Sequence, residues 1–159
     1  MTPPLFRVAT SDDVPALVRL INAAFAVERV AIEGDRVDRL GVEKYLRTGQ
    51  FLLLEENTAI TGCVYVEKRR DRAYLGLLSV EPFLQGRGLG RQLAAAAEKH
   101  AREQGCIAMD LRVISAREEL LPFYQQLGYA ITHTSAMPAE APLKVPCHFI
   151  HLSKDLRQG

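Results

Sequence analysis

The sequence predicts an α/β (α+β) chain folded as a single domain, and three observations predict it. Its 159 residues suffice for one hydrophobic core and fall short of two. Apolar residues make up 48% and charged residues 25%, the balance of a folded chain and not of a disordered one. The apolar pattern also changes period along the chain, from helical spacing to strand alternation and back, with no internal repeat, low-complexity tract or interdomain linker.

The elements follow in order. Residues 5–9, LFRVA, read as a short strand. Thr10 or Ser11 followed by Asp12 and Asp13 is a helix start with acids in the first turn, and Val14, Leu17, Val18, Ile21, Ala24 and Phe25 recur at helical spacing, so a helix is expected over about 12–27. Residues 28–34 read as a loop and 36–48 as a weaker helix. Three strands come next, 51–56, 59–67 and 73–80, joined by Asn57-Thr58 and by the basic run 68–72, which makes an antiparallel meander with a solvated turn. From residue 88 a helix carries Leu89, Leu93, Ala96, Ala97, His100 and Ala101 on one stripe and stops at Gly105. His100 on that stripe is expected to pack, not to catalyse. A strand is expected at 107–113, with Asp110 and Arg112 on the face opposite Met109 and Leu111. A last helix spans 117–127 and is stopped by Gly128. Its start is placed near 118, because capping at Ser115 would bury Pro122 deep inside the helix at a cost of about 3 kcal/mol. Strands at 129–136 and 147–153 close the domain, leaving 137–146, with three prolines, as the loosest segment.

Charge and composition exclude several functions. A net charge of +1 gives no field that favours nucleic acid or an anionic membrane. Cys63, Cys106 and Cys147 lack disulfide or metal-ligand spacing, so reduced thiols and no metal are expected. The start has no signal-peptide pattern, and nowhere do eighteen apolar residues run together, so a cytoplasmic protein is expected.

The stretch QGRGLGRQL at 85–93 carries the chemistry. A strand ending at Val80 and a helix opening with Gly88 gather backbone N–H groups at the positive end of a helix dipole, which is an anion site. Gly86, Gly88 and Gly90 permit unusual dihedrals and close approach of a phosphate. A dinucleotide fingerprint fails because Arg91 stands where its last glycine belongs, and a Walker loop fails for want of Gly-Lys-Ser/Thr.

What fits is Q/R-x-x-G-x-G/A, here Gln85, Gly86, Arg87, Gly88, Leu89 and Gly90. With the preceding LLSVEP and the later PFYQQLGY, the chain resembles the GCN5-related N-acetyltransferase (GNAT) family over nearly its whole length. The resemblance implies a mixed, mostly antiparallel seven-stranded sheet flanked by four helices, with acetyl-CoA as cosubstrate and its pyrophosphate on the 85–90 loop. It also implies a bulged strand whose backbone binds the pantetheine arm, with the Leu78 N–H at the acetyl carbonyl and Val80 backbone groups beyond it. Tyr124 matches the tyrosine set beside the CoA sulfur as general acid. Two departures stand out. Arg117 takes the place of an asparagine usual seven residues before this tyrosine, so the asparagine's cofactor contact is not carried over, and the arginine is long enough for a pantetheine carbonyl or a phosphate instead. Tyr74 takes the place of a glutamate base. Glu28 and Glu33, in the loop where family substrates bind, are then the candidates to accept the proton through water or to hold the acceptor's ammonium, and Glu81 beside the bulge is a weaker one.

The expected activity is acetyl transfer from acetyl-CoA to a primary amine of a small molecule by direct attack. Acetylation of a peptide N-terminus or lysine, and a non-catalytic acyl-CoA-binding regulatory domain, stay open at this level, as does a homodimer.

Overall fold

The computed structural model describes residues 5–157, and among these seven strands form one sheet in the order β1-β2-β3-β4-β5-β7-β6. The strands are β1 (Leu5–Val8), β2 (Gln50–Glu56), β3 (Ala59–Arg69), β4 (Arg72–Val80), β5 (Ala108–Ile114), β6 (Ala130–Ala136) and β7 (His148–Asp155). Every neighbouring pair is antiparallel except β4 with β5, which is parallel. Four α-helices accompany them among the described residues: α1 (Val14–Ala24), α2 (Arg39–Thr48), α3 (Leu89–Glu103) and α4 (Leu120–Gln126). This is the mixed, mostly antiparallel architecture the sequence implied.

The sheet separates two cores. One, with Leu17, Leu20, Ile21, Phe51 and Tyr65, lies under α1 and α2; the other, with Val64, Leu93, Met109, Leu111 and Leu152, lies under α3 and α4. Strand alternation does this sorting, since Cys63 and Tyr65 face the first core and Val64 and Val66 the second.

Element ends move for local reasons. The stretch expected as one helix over 12–27 divides into a 3₁₀ turn (Ser11–Asp13), α1 and a second 3₁₀ turn (Ala26–Val30). Pro15 takes the first turn of α1, where its missing N–H costs nothing. Part of the loop expected at 28–34 is therefore ordered as that second turn. Helix α2 starts at Arg39 and not at 36, because the Asp38 carboxylate accepts from Gly41 N–H at 2.8 Å and caps it there. The basic run is only partly a turn: Lys68 and Arg69 pair with Ala73 and Arg72, leaving Arg70 and Asp71 at the tip. Helix α4 starts at Leu120, so Pro122 falls in its first turn as its chemistry requires, after a 3₁₀ turn at Ser115–Arg117. Ser115 serves β7 instead, its hydroxyl accepting from His148 N–H at 3.0 Å. His100 is half-buried and hydrogen-bonded to the Gln50 side chain, a packing role as expected.

The proline-rich segment 137–146 has no regular element, yet it is tied down. Lys144 N–H donates to Ala31 at 2.7 Å and Glu33 N–H to Pro142 at 2.9 Å, with Ile32 bridged to Leu143. It roofs the turn that follows α1.

Glycine at 62 lets α3 settle on the sheet. A Cβ there would lie 2.7 Å from Leu93 Cδ1 and 3.1 Å from the Ser79 carbonyl. Gly62→Ala should therefore lower stability by about 1–3 kcal/mol through overpacking, read by chemical denaturation. An unchanged midpoint would show that α3 does not rest on this contact.

Candidate active site

Strands β4 and β5 run side by side for three residue pairs, Arg72–Tyr74 against Ala108–Asp110, and then part. The cause lies in β4. Between Cys63 and Tyr65 of β3 the register slips, so that β4 spends one extra residue there, and Leu77 takes up a left-handed φ of 53°. That is a β-bulge at a bulky residue, a strained conformation kept by its surroundings, since Leu77 is buried in the α1–α2 core. The fork so opened is a cleft of about 470 Å³, bounded by β4, β5, the loop before α3, the start of α4 and the turn after α1.

At one end of the cleft stands the glycine loop. Gln85 Nε2–H donates to the Val80 carbonyl at 3.2 Å and closes the turn. Gly86 and Gly88 have φ of 85° and 81°, and a Cβ on either would meet no protein atom within 4 Å. The positive φ favours glycine at both, and the space beside each is open. Gly88 caps α3 without a side chain, so the first N–H groups of a fifteen-residue helix face outward. Gly90 is different: its backbone is helical, and a Cβ would touch Phe123 Cζ at 3.4 Å, ordinary van der Waals contact that an alanine also tolerates. Leu89 lines the cleft by its place at the helix start while its side chain joins the core. Arg87 is exposed and does not line the cleft, whereas Arg91 does. This end suits a polyphosphate.

Tyr124 also lines the cleft, buried at 6% exposure, its ring edge-on to Phe123 and Tyr129. Its hydroxyl makes no hydrogen bond among the described residues. Burial drives this phenol well above its ordinary range; the Arg117 cation pulls the other way and Tyr74 adds slightly to the rise. The second tyrosine of PFYQQLGY is structural: Tyr129 O–H donates to buried Glu98 at 2.9 Å, and Lys154 completes that cluster.

Arg117 also meets Glu28, a contact spanning 89 positions that the sequence did not foretell. Its Nη1 donates to Glu28 at 2.9 Å and its Nε to Glu119 at 2.6 Å. The Arg117 and Glu28 side chains are only 15% and 11% exposed, so this is a shielded pair. Burial raises the Glu28 carboxyl, and the Arg117 and Arg36 charges oppose that rise. The 3₁₀ turn after α1 is what aims Glu28 inward.

Other expected carboxylates lie elsewhere. Glu33 is exposed and outside the cleft, and Glu81 pairs with Arg19 at 3.0 Å on another face. Tyr74 lines the cleft, its ring accommodated by Gly76, where a Cβ would sit 2.8 Å away. Glu67, its cross-strand partner, is held by Tyr65 O–H at 2.6 Å and by Arg69. Among the described residues that line the cleft, Glu28 is the one carboxylate.

The acetyltransferase (GNAT) family model matches residues 16–129, from α1 through the Tyr124 helix. This chain belongs to that family. Two relatives are mycothiol acetyltransferases, one from Propionibacterium freudenreichii subsp. shermanii, 30% identical over 147 residues that are 88% of this chain and 46% of the relative. The other, from Mycobacteroides abscessus, is 31% identical over 132 residues, 79% of this chain and 45% of the relative. The chain thus spans about half the length of these relatives. Among solved structures, the ribosomal-protein-S18-alanine N-acetyltransferase of Escherichia coli superposes with a TM-score of 0.77 at 16% identity, covering 99% of this chain and 96% of that one. The PaiA N-acetyltransferase of Thermoplasma acidophilum, in complex with coenzyme A, superposes with a TM-score of 0.78 at 14% identity, covering 97% and 99%. At such identities these two share the fold.

The family is one of acetyltransferases, and the second of these neighbours holds coenzyme A. The residues present suit acetyl-CoA: positive-φ glycines lining the cleft, uncapped helical N–H groups, and a β4 backbone freed from β5. Arg117, which stands where many GNAT members have asparagine, is engaged by Glu28 and Glu119. Removing its charge tests that engagement. Arg117→Met should cost on the order of 2–3 kcal/mol at pH 7 by leaving Glu28 shielded and unpaired. The lost cation raises the folded-state Glu28 pKa further, so the penalty belongs to the ionised form and should shrink as pH falls through that raised value. Denaturation curves at pH 7 and pH 4.5 read it; an equal loss at both would mean the pair carries no charge coupling.

Proposed function

We propose that the protein transfers the acetyl group of acetyl-CoA to a primary amine of a small molecule by direct attack. The observation that carries this reading is the fork itself: one cleft is lined by the glycine loop, by a bulged β4 backbone unpaired from β5, and by Tyr124. The curated relatives, named for mycothiol, agree with a small-molecule acceptor.

Each group has a role that follows from its placement. The 86–91 backbone N–H groups and the α3 dipole bind the pyrophosphate, with Arg91 beside them. Val80 and Leu78 hydrogen-bond the pantetheine arm and the acyl carbonyl through their backbone, and the Leu78 N–H takes the negative charge that develops on that carbonyl oxygen. Bound acetyl-CoA supplies an acyl thioester, whose C–S bond breaks as the C–N bond to the amine forms. Tyr124 O–H donates its proton to the departing sulfur and recovers one from water. The amine gives up its proton to water, because the cleft offers no unpaired carboxylate among the described residues and Tyr74 stands at the position of a base.

The pH dependence separates this scheme from one with a dedicated base. Activity should rise from about pH 7 toward 9 with the free-amine fraction of the acceptor. An ordinary phenol would impose a fall near pH 10, but burial raises Tyr124, so its acidic form persists and the expected profile is a plateau in place of a hump. Tyr124→Phe should lower kcat by about 10²- to 10⁴-fold while acetyl-CoA affinity stays within about twofold, because ring and packing remain. Steady-state kinetics and calorimetry check both, and turnover near wild type would assign Tyr124 to the core.

A further inference from the structure

The acceptor end of the cleft carries more positive charge than its one carboxylate absorbs. Glu28 belongs to Arg117, which leaves Arg36 and Arg112 on the lining. Asp110, which shares the Arg112 face of β5, is taken by Arg72 at 2.6 Å. Neither Arg36 nor Arg112 has a hydrogen-bond or ion-pair partner among the described residues. Both are nonetheless held in place. The Arg36 guanidinium lies 5.6 Å from the centroid of the Phe25 ring, and that of Arg112 lies 3.9 Å from the centroid of Phe149. Both rings line the same cleft. The two arginine–phenylalanine stacks arise from different walls, one from the segment after α1 and the other from β5 with its neighbour β7. Arg69 makes the comparable stack on Tyr74, but Glu67 neutralises it.

A guanidinium laid on an aromatic face loses little further entropy on binding, and its N–H edge stays open to a planar anion. Two such forks facing one cavity match a carboxylate better than a point charge would. A simple ammonium ion, by contrast, enters a field in which Arg36, Arg112 and Arg117 outnumber Glu28 and the Glu119 carboxylate bound to Arg117, and is repelled. The same field lowers the pKa of a bound amine and so favours its neutral, attacking form. This supplies part of what a missing base would do.

We propose that the acetyl acceptor is an amine that also carries a carboxylate, an amino acid or a short acidic peptide-like molecule, whose carboxylate is clamped by Arg36 and Arg112 while its amine faces the β4–β5 fork. The proposal rests on the transferase reading of this cleft. It is distinct from the phosphate end, where the glycine loop and Arg91 stand.

The test pairs acceptors that differ only in the carboxylate: free amino acids against their amides, each with acetyl-CoA and the full chain. The acid is expected to exceed its amide in kcat/KM by about 10- to 100-fold, the worth of one or two charge-assisted hydrogen bonds. Arg36→Gln and Arg112→Gln should each bring the acid toward its amide, chiefly through KM, with acetyl-CoA affinity by calorimetry retained. Arg112→Lys should recover only part of the preference, since a point charge lacks the fork. Amides accepted as well as acids, or a preference that survives both glutamine substitutions, would overturn the proposal. If no amine of either kind is acetylated, the transferase reading falls. In that case calorimetry of N-acetyl amino acids and their amides on CoA-saturated protein still decides the clamp: tighter binding of the acids, lost in both variants, upholds it, and equal affinities overturn it.

Discussion

The early end of the β4–β5 pairing is the constraint on which the rest of the site depends. A parallel pair that stayed zipped would spend the N–H and C=O groups of both strands on each other and leave nothing to recognise a ligand. Here the bulge turns β4 away after three residue pairs, at the cost of a leucine held at positive φ. Burial of Leu77 in the α1–α2 core sustains that strain. The glycine loop, α3 and the tyrosine helix are arranged around the resulting fork, and Gly62 lets α3 approach closely enough to complete it.

Electrostatics within the fork follow from scarcity of acid. Carboxylates that the topology brings near it are each committed: Glu28 to Arg117, Glu67 to Tyr65 and Arg69, Asp110 to Arg72 and Ser153. Cations are less fully spent. An excess of guanidinium in a shielded cleft suits a polyanionic cosubstrate at one end and supports an anionic acceptor at the other. It also makes a side-chain base less necessary, since a positive field by itself releases protons from a bound ammonium.

Much of this was legible in the residues. The three glycines of 86–90, the Asn57-Thr58 turn, the alternation at 107–113 and the position of Pro122 each carry a local physical signal, and they set the strand and helix order correctly. The motif resemblance added the fork, because a left-handed leucine leaves no mark that reading Leu77 alone reveals. What escaped was long-range. Arg117 reaches a glutamate 89 positions away, and the 3₁₀ turn that aims Glu28 and excludes Glu33 follows α1 where the pattern read only as loop. Arg112 was visible as an outward residue of its strand, but its meaning depends on Phe149 and on the wall across the cleft, which only the assembled sheet brings together. Gly90 was grouped with its neighbours by spacing, whereas its geometry is that of an ordinary helical residue beside Phe123.

The claim that backbone, freed at the bulge and uncapped at α3, is what holds the cosubstrate can be measured residue by residue. A titration of the isotope-labelled chain with acetyl-CoA, followed through its backbone amide resonances, should move Leu78, Val80 and the amides of 86–91 together with a single affinity, leaving β1 and β2 undisturbed. Shifts confined to other surfaces, with Leu78 and the glycine loop unmoved at saturating acetyl-CoA, would contradict it.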